Sequence, residues 1–284
     1  MRQPLARYLP LGALALVLAT TAAAAGVGYL EESSEVAYEA TSGPVRTALL
    51  SGGGPTLPNP ERGVHSFYFT RAVYSGWGGG FGWGSWAVDY PTADRWIVSV
   101  LRRLTGVDAF PLENPVRLDD PELRRFPFLY ALEVGRMSLR DEEVQGLRNY
   151  LLAGGFLVID DFWGASEWYN FEREMRRVLP EYEIVEIPLD HPIFSTFYQI
   201  EKIIQVPNVG QGIRGGPTHE NGESGRVPHV RGIFDDDGRL MVIINWNTDL
   251  GDAWEWAEDP AYPLQYSTYA YQMAANFIVY AMTR

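Results

Sequence analysis

The residues with the most chemistry to offer are acidic. Asp160 and Asp161 close the apolar run FLVID at 156–160 and the residue after it. Paired carboxylates at the end of a strand suit two chemistries, binding of a divalent cation through hard oxygen ligands or general acid–base catalysis. Glu167, Asp190 and His191 supply further groups for either purpose. A structural reading competes: Asp160 and Asp161 cap the N–H groups of the following helix, and His191-Pro192 fixes a loop. Open α/β sheets gather ligands outside the carboxyl ends of their strands, which is where Asp160 and Asp161 fall.

Other chemistry-bearing residues are less well spaced. His65, His219 and His229 form no HxH or HExxH pattern, so neither a histidine metal site nor a cofactor is expected. Asp235-Asp236-Asp237-Gly238 lacks the remaining ligands of a calcium loop and reads as a solvated hairpin turn. The glycines of SGWGGGFGWGSW are not followed by a Lys-Ser/Thr pair, so they make no phosphate loop. That stretch carries Trp77, Trp83 and Trp86, and Trp246, Trp254 and Trp256 form a second group. Loop tryptophans can anchor a protein partner, cap the sheet from within, or stack on sugar rings. Under the first reading Trp77, Trp83, Trp86, Trp254 and Trp256 are the partner interface.

These residues need elements to hold them. The pattern predicts a strand over 67–74 and a helix from Thr92 to Leu104 with Trp96, Val100 and Leu104 on one face. A short strand near Phe128 to Val134 comes next. Ser138 and Asp141 fit a capping box that opens a helix bearing Val144, Leu147 and Leu151 inward and ending at Gly154-Gly155. The strand 156–160, a helix from about Ser166 with Trp168, Phe171, Met175 and Val178 at helical spacing, and a strand at 182–187 complete the series. Strands alternating with helices at short intervals imply a mostly parallel sheet with helices on both faces, an α/β domain. Two extended runs around Asp235 to Gly238 predict a hairpin, and the C-terminal stretch with Tyr269, Met273, Phe277 and Tyr280 predicts a helix closing onto the sheet.

Of the 284 residues 46% are apolar, enough for a sizeable core. The net charge is −13, and setting aside Arg2 and Arg7, which precede the first apolar run, leaves −15 on the remainder. Such a surface repels phosphate backbones, so nucleic acid is not an expected partner. Cysteine is absent, which removes disulfides, thiolate nucleophiles and zinc-thiolate sites.

The uncharged run from Tyr8 to Leu30 is long enough for a membrane-spanning helix at ~1.5 Å per residue. Leu11, Leu14, Leu16 and Leu18 are its apolar body, and Tyr8 and Tyr29 stand at interfacial depth. The alternative is a signal peptide cleaved after the small residues Ala22 to Ala25. Arg2 and Arg7 before the run and Glu31, Glu32 and Glu35 after it place the N-terminus in the cytoplasm and the body in the periplasm of a bacterial inner membrane. The expected organisation is an anchor or signal peptide at 1–30, an extended linker arm at 31–65, and an α/β domain at 66–284.

The stretch FPFLYALEVGRMSLRDEEVQGLRNYLLAGGFLVIDDFWG, with LDHPIF further on, resembles the bacterial domain-of-unknown-function family 4159 from Phe67 onward. Its most specific pieces are Ile159 to Gly164 and Asp190 to Phe194. More distantly, the strand, capped helix, Gly-Gly, strand pattern is similar to the class I glutamine amidotransferase-like fold and to ThuA-like proteins, which implies a flavodoxin-like sheet. Amidotransferase chemistry is not implied, because that reaction needs a cysteine nucleophile and this chain has none, nor does a G-x-S-x-G elbow replace it.

The expected function is therefore that of a non-catalytic, membrane-anchored periplasmic accessory subunit. Its expected partners are membrane lipid, through the N-terminal helix, and the other subunits of a membrane complex. A photosynthetic reaction-centre/light-harvesting assembly is one association. The alternative is a periplasmic carbohydrate-acting enzyme or solute-binding protein working through Asp160, Asp161, Asp190 and His191.

Overall fold

A computed structural model of the chain describes residues 62–76 and 86–283. In chain order the strands are β1 (Thr70–Val73), β2 (Asn114–Arg117), β3 (Phe128–Leu132), β4 (Phe156–Asp160), β5 (Ile184–Glu186), β6 (His229–Phe234) and β7 (Leu240–Trp246). The helices are α1 (Thr92–Thr105), α2 (Asp141–Leu152), α3 (Gly164–Val178), α4 (Val209–Arg214), α5 (Leu250–Glu255) and α6 (Leu264–Thr283). All seven strands join one sheet in the order β2-β1-β3-β4-β7-β6-β5. The pairs from β2 through β7 are parallel, whereas β6 runs antiparallel to both β7 and β5.

Strand side chains alternate between faces, and β3 is buried at every position, so both faces of the sheet must be covered. Phe128, Tyr130 and Leu132 pack into one core with α1, α5 and α6. Leu129 and Ala131 pack into the other with α2 and α3. The result is a three-layer α/β domain, as the alternation of elements predicts. Val144, Leu147 and Leu151 on α2, Phe171, Met175 and Val178 on α3, and Tyr269, Met273, Phe277 and Tyr280 on α6 face these cores as expected.

Four expectations are corrected. The strand 182–187 shortens to β5 and pairs with β6 at the sheet edge, because the β6–β7 hairpin takes the place beside β4. The strand β2 has no counterpart in the sequence reading; its NPVR offers one interior apolar residue, and its proline is tolerated because β2 is an edge strand. On α1 the inward residues are Ala93, Ile97, Val98 and Leu101, and Leu104 is exposed. Helical spacing alone fits both stripes, and the buried ion pair of Asp94 with Arg71 on β1 selects this one. Finally, α2 begins two residues later than the Ser138 box implies. Arg140 is its N-cap residue, and its N–H donates to Glu143 Oε2 at 2.8 Å. Glu143 Oε1 also accepts from Ser75 N at 3.1 Å, tying α2 to the exit of β1.

Among the described residues no helix is long and apolar enough to cross a membrane. The expected span with Tyr8, Leu11, Leu14, Leu16, Leu18 and Tyr29, the arm up to residue 61, and Trp77 and Trp83 lie outside the described residues.

Candidate functional site

The carboxyl ends of β3, β4 and β7 each deliver acids. Glu133 follows β3, Asp160 ends β4 with Asp161 next to it, and Asp249 and Asp252 open α5 just beyond β7. Asp89, from the turn that leads into α1, and Glu167 on α3 approach from the flanks. All of these except Asp160 line, together with Glu220 and Asn208, a cavity of about 180 Å³, in which Arg136 is the single basic residue.

Asp160 faces inward beneath this cavity. It is fully buried, and its Oδ2 accepts from Tyr130 Oη at 2.8 Å, Leu250 N at 2.9 Å and Gly251 N at 3.1 Å. The capping reading thus applies to Asp160, but the helix it caps is α5, ninety residues on, rather than the next helix. Burial outweighs those donors and pushes its carboxyl up to about 7. Asp161 accepts from Trp163 Nε1 at 2.9 Å. Glu167 accepts from Trp163 N at 2.6 Å and from Asn221 Nδ2 at 3.1 Å.

The acids over the cavity are poorly compensated. Burial raises Asp89, Asp161 and Asp249 well above the ordinary carboxylate range, and repulsion from neighbouring acids raises them further. Asp252 is raised by burial although Val209 N donates to it at 2.6 Å. Burial carries Glu133 up to about 7, against the opposing pull of Arg136, whose Nε lies 3.6 Å from it. Asp89 is held by backbone geometry: Arg71 Nη1 donates to the carbonyls of Trp86 at 3.2 Å and Val88 at 3.0 Å, fixing the turn before it. Its Oδ2 is closed off from solvent and accepts no hydrogen bond. A Cβ on Gly251 would stand 2.3 Å from that oxygen, so α5 approaches Asp89 only because residue 251 is glycine.

Every non-glycine residue with positive φ among those described lies at this edge: Asp89, Glu133, Asp161, Asn221 and Asn247. Such backbone costs on the order of 1 kcal/mol or more per residue and persists where the surroundings enforce it. Asn247 shows how: its Oδ1 accepts from Gly164 N at 2.8 Å, and its Nδ2 donates to the carbonyls of Ser224 and Val227.

Residues 71–282 match the family described as a domain of unknown function, DUF4159. The chain belongs to that family. The matched span contains every acid of the cleft from Asp89 to Asp252. No curated protein matches the chain.

Several predicted site residues of this DUF4159 domain lie elsewhere. His191 packs its ring on Phe234, 5.6 Å between centroids. Phe234 pairs with Leu240 at the start of β7, while Asp160 is level with the far end of that strand. About five residues at ~3.3 Å put them some 16 Å apart along the strands, so Asp190 and His191 are not partners of Asp160 and Asp161. His191 accepts from Ile193 N at 3.2 Å, which is the loop-fixing role. Trp86 and Trp254 are 2% and 1% exposed and belong to the two cores, which removes them from a partner interface; Trp256 is the exposed one of the three described. Trp246 instead stacks with His229, and the Arg231 guanidinium lies over both Trp246 and Trp168, at 4.7 and 4.3 Å from their centroids. Asp235 Oδ1 accepts from Asp237 N and Arg239 N, a closed hairpin turn.

The acids absent from the sequence reading are Asp89, Glu133, Glu220, Asp249 and Asp252. The rule that singles out Asp160 also applies to Glu133, directly beyond β3, and to Asp249, which follows β7 after Asn247 and Thr248. Asp89 and Glu220 carry no such signal, since they reach the cleft from turns distant in sequence.

Proposed function

We propose that this protein is a ligand-binding domain of flavodoxin-like architecture that takes a positively charged ligand into the acidic cleft at the carboxyl edge of its sheet. The flavodoxin-like part is supported by strand order. The co-directional strands run β2-β1-β3-β4-β7, which is the order 2-1-3-4-5 when the hairpin strand β7 is counted fifth, and the cleft lies over the carboxyl edge where such sheets bind ligands.

The observation that carries the reading is electrostatic. Carboxylates from five separate chain segments share one small cavity with a single arginine, and burial and mutual repulsion raise the pKa values of Glu133, Asp161 and Asp249. A bound cation removes that repulsion, so the ligand and the protons compete for the same oxygens. The role is one of binding; the amidotransferase nucleophile is missing, and His191 is too far away to act with these acids.

Calorimetry near pH 7 in buffers of different ionisation enthalpy tests this. Cation uptake is expected to release protons, because the carboxyls enter with raised pKa values. Uptake of an anionic or neutral ligand with no effect of cations would refute it.

A further inference from the structure

We infer that Asp89, Asp249 and Asp252 form a binding site for one hard divalent metal ion of the calcium or magnesium class. This deepens the cationic-ligand reading and rests on it. Each of the three offers one carboxylate oxygen, and these oxygens all lie within 4.8 Å of one another. Ligands bound at ~2.3–2.6 Å on opposite sides of an ion are separated by about that distance, so a single ion can touch all three. The donors are oxygen only, with no imidazole or thiolate among them, which suits calcium, magnesium or manganese rather than zinc or copper.

A cluster of acids is common without a metal, and here a separate feature points to an occupant. Asp89 Oδ2 is sealed from solvent and receives no hydrogen bond, and Asp160 Oδ1 shares that state although Asp160 Oδ2 receives three. A buried carboxylate oxygen left without a donor is costly unless a proton or a cation meets it. The three ligands are also held independently of any ion. Arg71 fixes the turn before Asp89, Asp249 Oδ1 caps α5 by accepting from Asp252 N at 2.8 Å, and Val209 N fixes Asp252. Such prior positioning lowers the cost of binding.

The test is a thermal melt of the full chain near pH 7 with calcium, magnesium, manganese or spermidine, compared with Asp249→Asn, Asp89→Asn and Asp190→Asn. Asparagine caps a helix as well as aspartate does, so Asp249→Asn preserves α5. At free ion well above Kd the wild type is expected to gain about 5 °C or more with one of the three metals. Asp190→Asn, at the other edge, is expected to respond equally. Asp249→Asn and Asp89→Asn are expected to melt at or above the metal-free wild type, since each removes a repelling charge, and to lose the metal response. A purely structural role predicts lower melting with the response intact, and that result overturns the inference. A gain with spermidine alone overturns the metal site and leaves the cationic-ligand reading standing. No gain with any cation overturns both.

Discussion

Asp160 allows the sharpest quantitative prediction, because its surroundings define both its structural and its titration behaviour. Replacing it with alanine strands three buried donors, Tyr130 Oη and the N–H groups of Leu250 and Gly251. At ~1–3 kcal/mol for each unsatisfied group, the loss is on the order of 5 kcal/mol, a large share of a domain's total stability. Asparagine keeps an acceptor oxygen in place and is expected to cost far less, about 1 kcal/mol at low pH. The pH dependence separates the two further. The folded carboxyl sits at about 7, above its unfolded value, so the folded state holds more protons through this window and stability falls as pH rises toward and past 7. Between about pH 5 and pH 8 this single group removes roughly 2–3 kcal/mol from the wild type. Asp160→Asn cannot titrate, so its urea-melt midpoint is expected to fall less over that range and to overtake the wild type at the alkaline end. An alanine variant within about 1 kcal/mol of wild type, or an asparagine variant with an unchanged pH profile, would refute the reasoning.

Other residues yield further expectations. Trp254→Ala is expected to cost about 3–5 kcal/mol in urea melts, because the ring packs edge-on to Phe69 in the α5 core; a surface interface residue would cost little. Arg71→Met strands Asp94 in the interior and is expected to cost about 3–5 kcal/mol, with most of that loss recovered by adding Asp94→Leu; failure of the double variant to recover would show that Arg71 matters mainly through the turn before Asp89. Gly251→Ala places a Cβ 2.3 Å from Asp89 Oδ2 and is expected to weaken divalent-ion affinity by roughly tenfold or more in titration calorimetry while helicity by circular dichroism stays unchanged.

How much of this was legible in advance depends on the range of the interaction. The strand FLVID and the helices α2, α3 and α6 follow from local periodicity, and the placement of Asp160 at a carboxyl edge follows from knowing where a parallel sheet binds ligands. The choice between the two stripes on α1 did not, since it turns on Arg71 reaching Asp94 across 23 residues. The tryptophans illustrate the same limit. Their spacing in a glycine-rich loop and near the C-terminus is compatible with surface or core, and only packing against Phe69 and Tyr130 puts Trp254 inside.

By itself the sequence determined the α/β class, the absence of any cysteine nucleophile, the surplus of negative charge and the inward faces of α2, α3 and α6, because each follows from residue type or from spacing within one element. Only the tertiary structure decided which acids meet. It brought Asp89, Asp249 and Asp252 within 4.8 Å and sent Asp190 and His191 to the opposite edge. The physical reason is the sheet order. Placing β7 beside β4 carries the segment after residue 246 across the carboxyl ends of the strands, and no spacing along the chain encodes that neighbour.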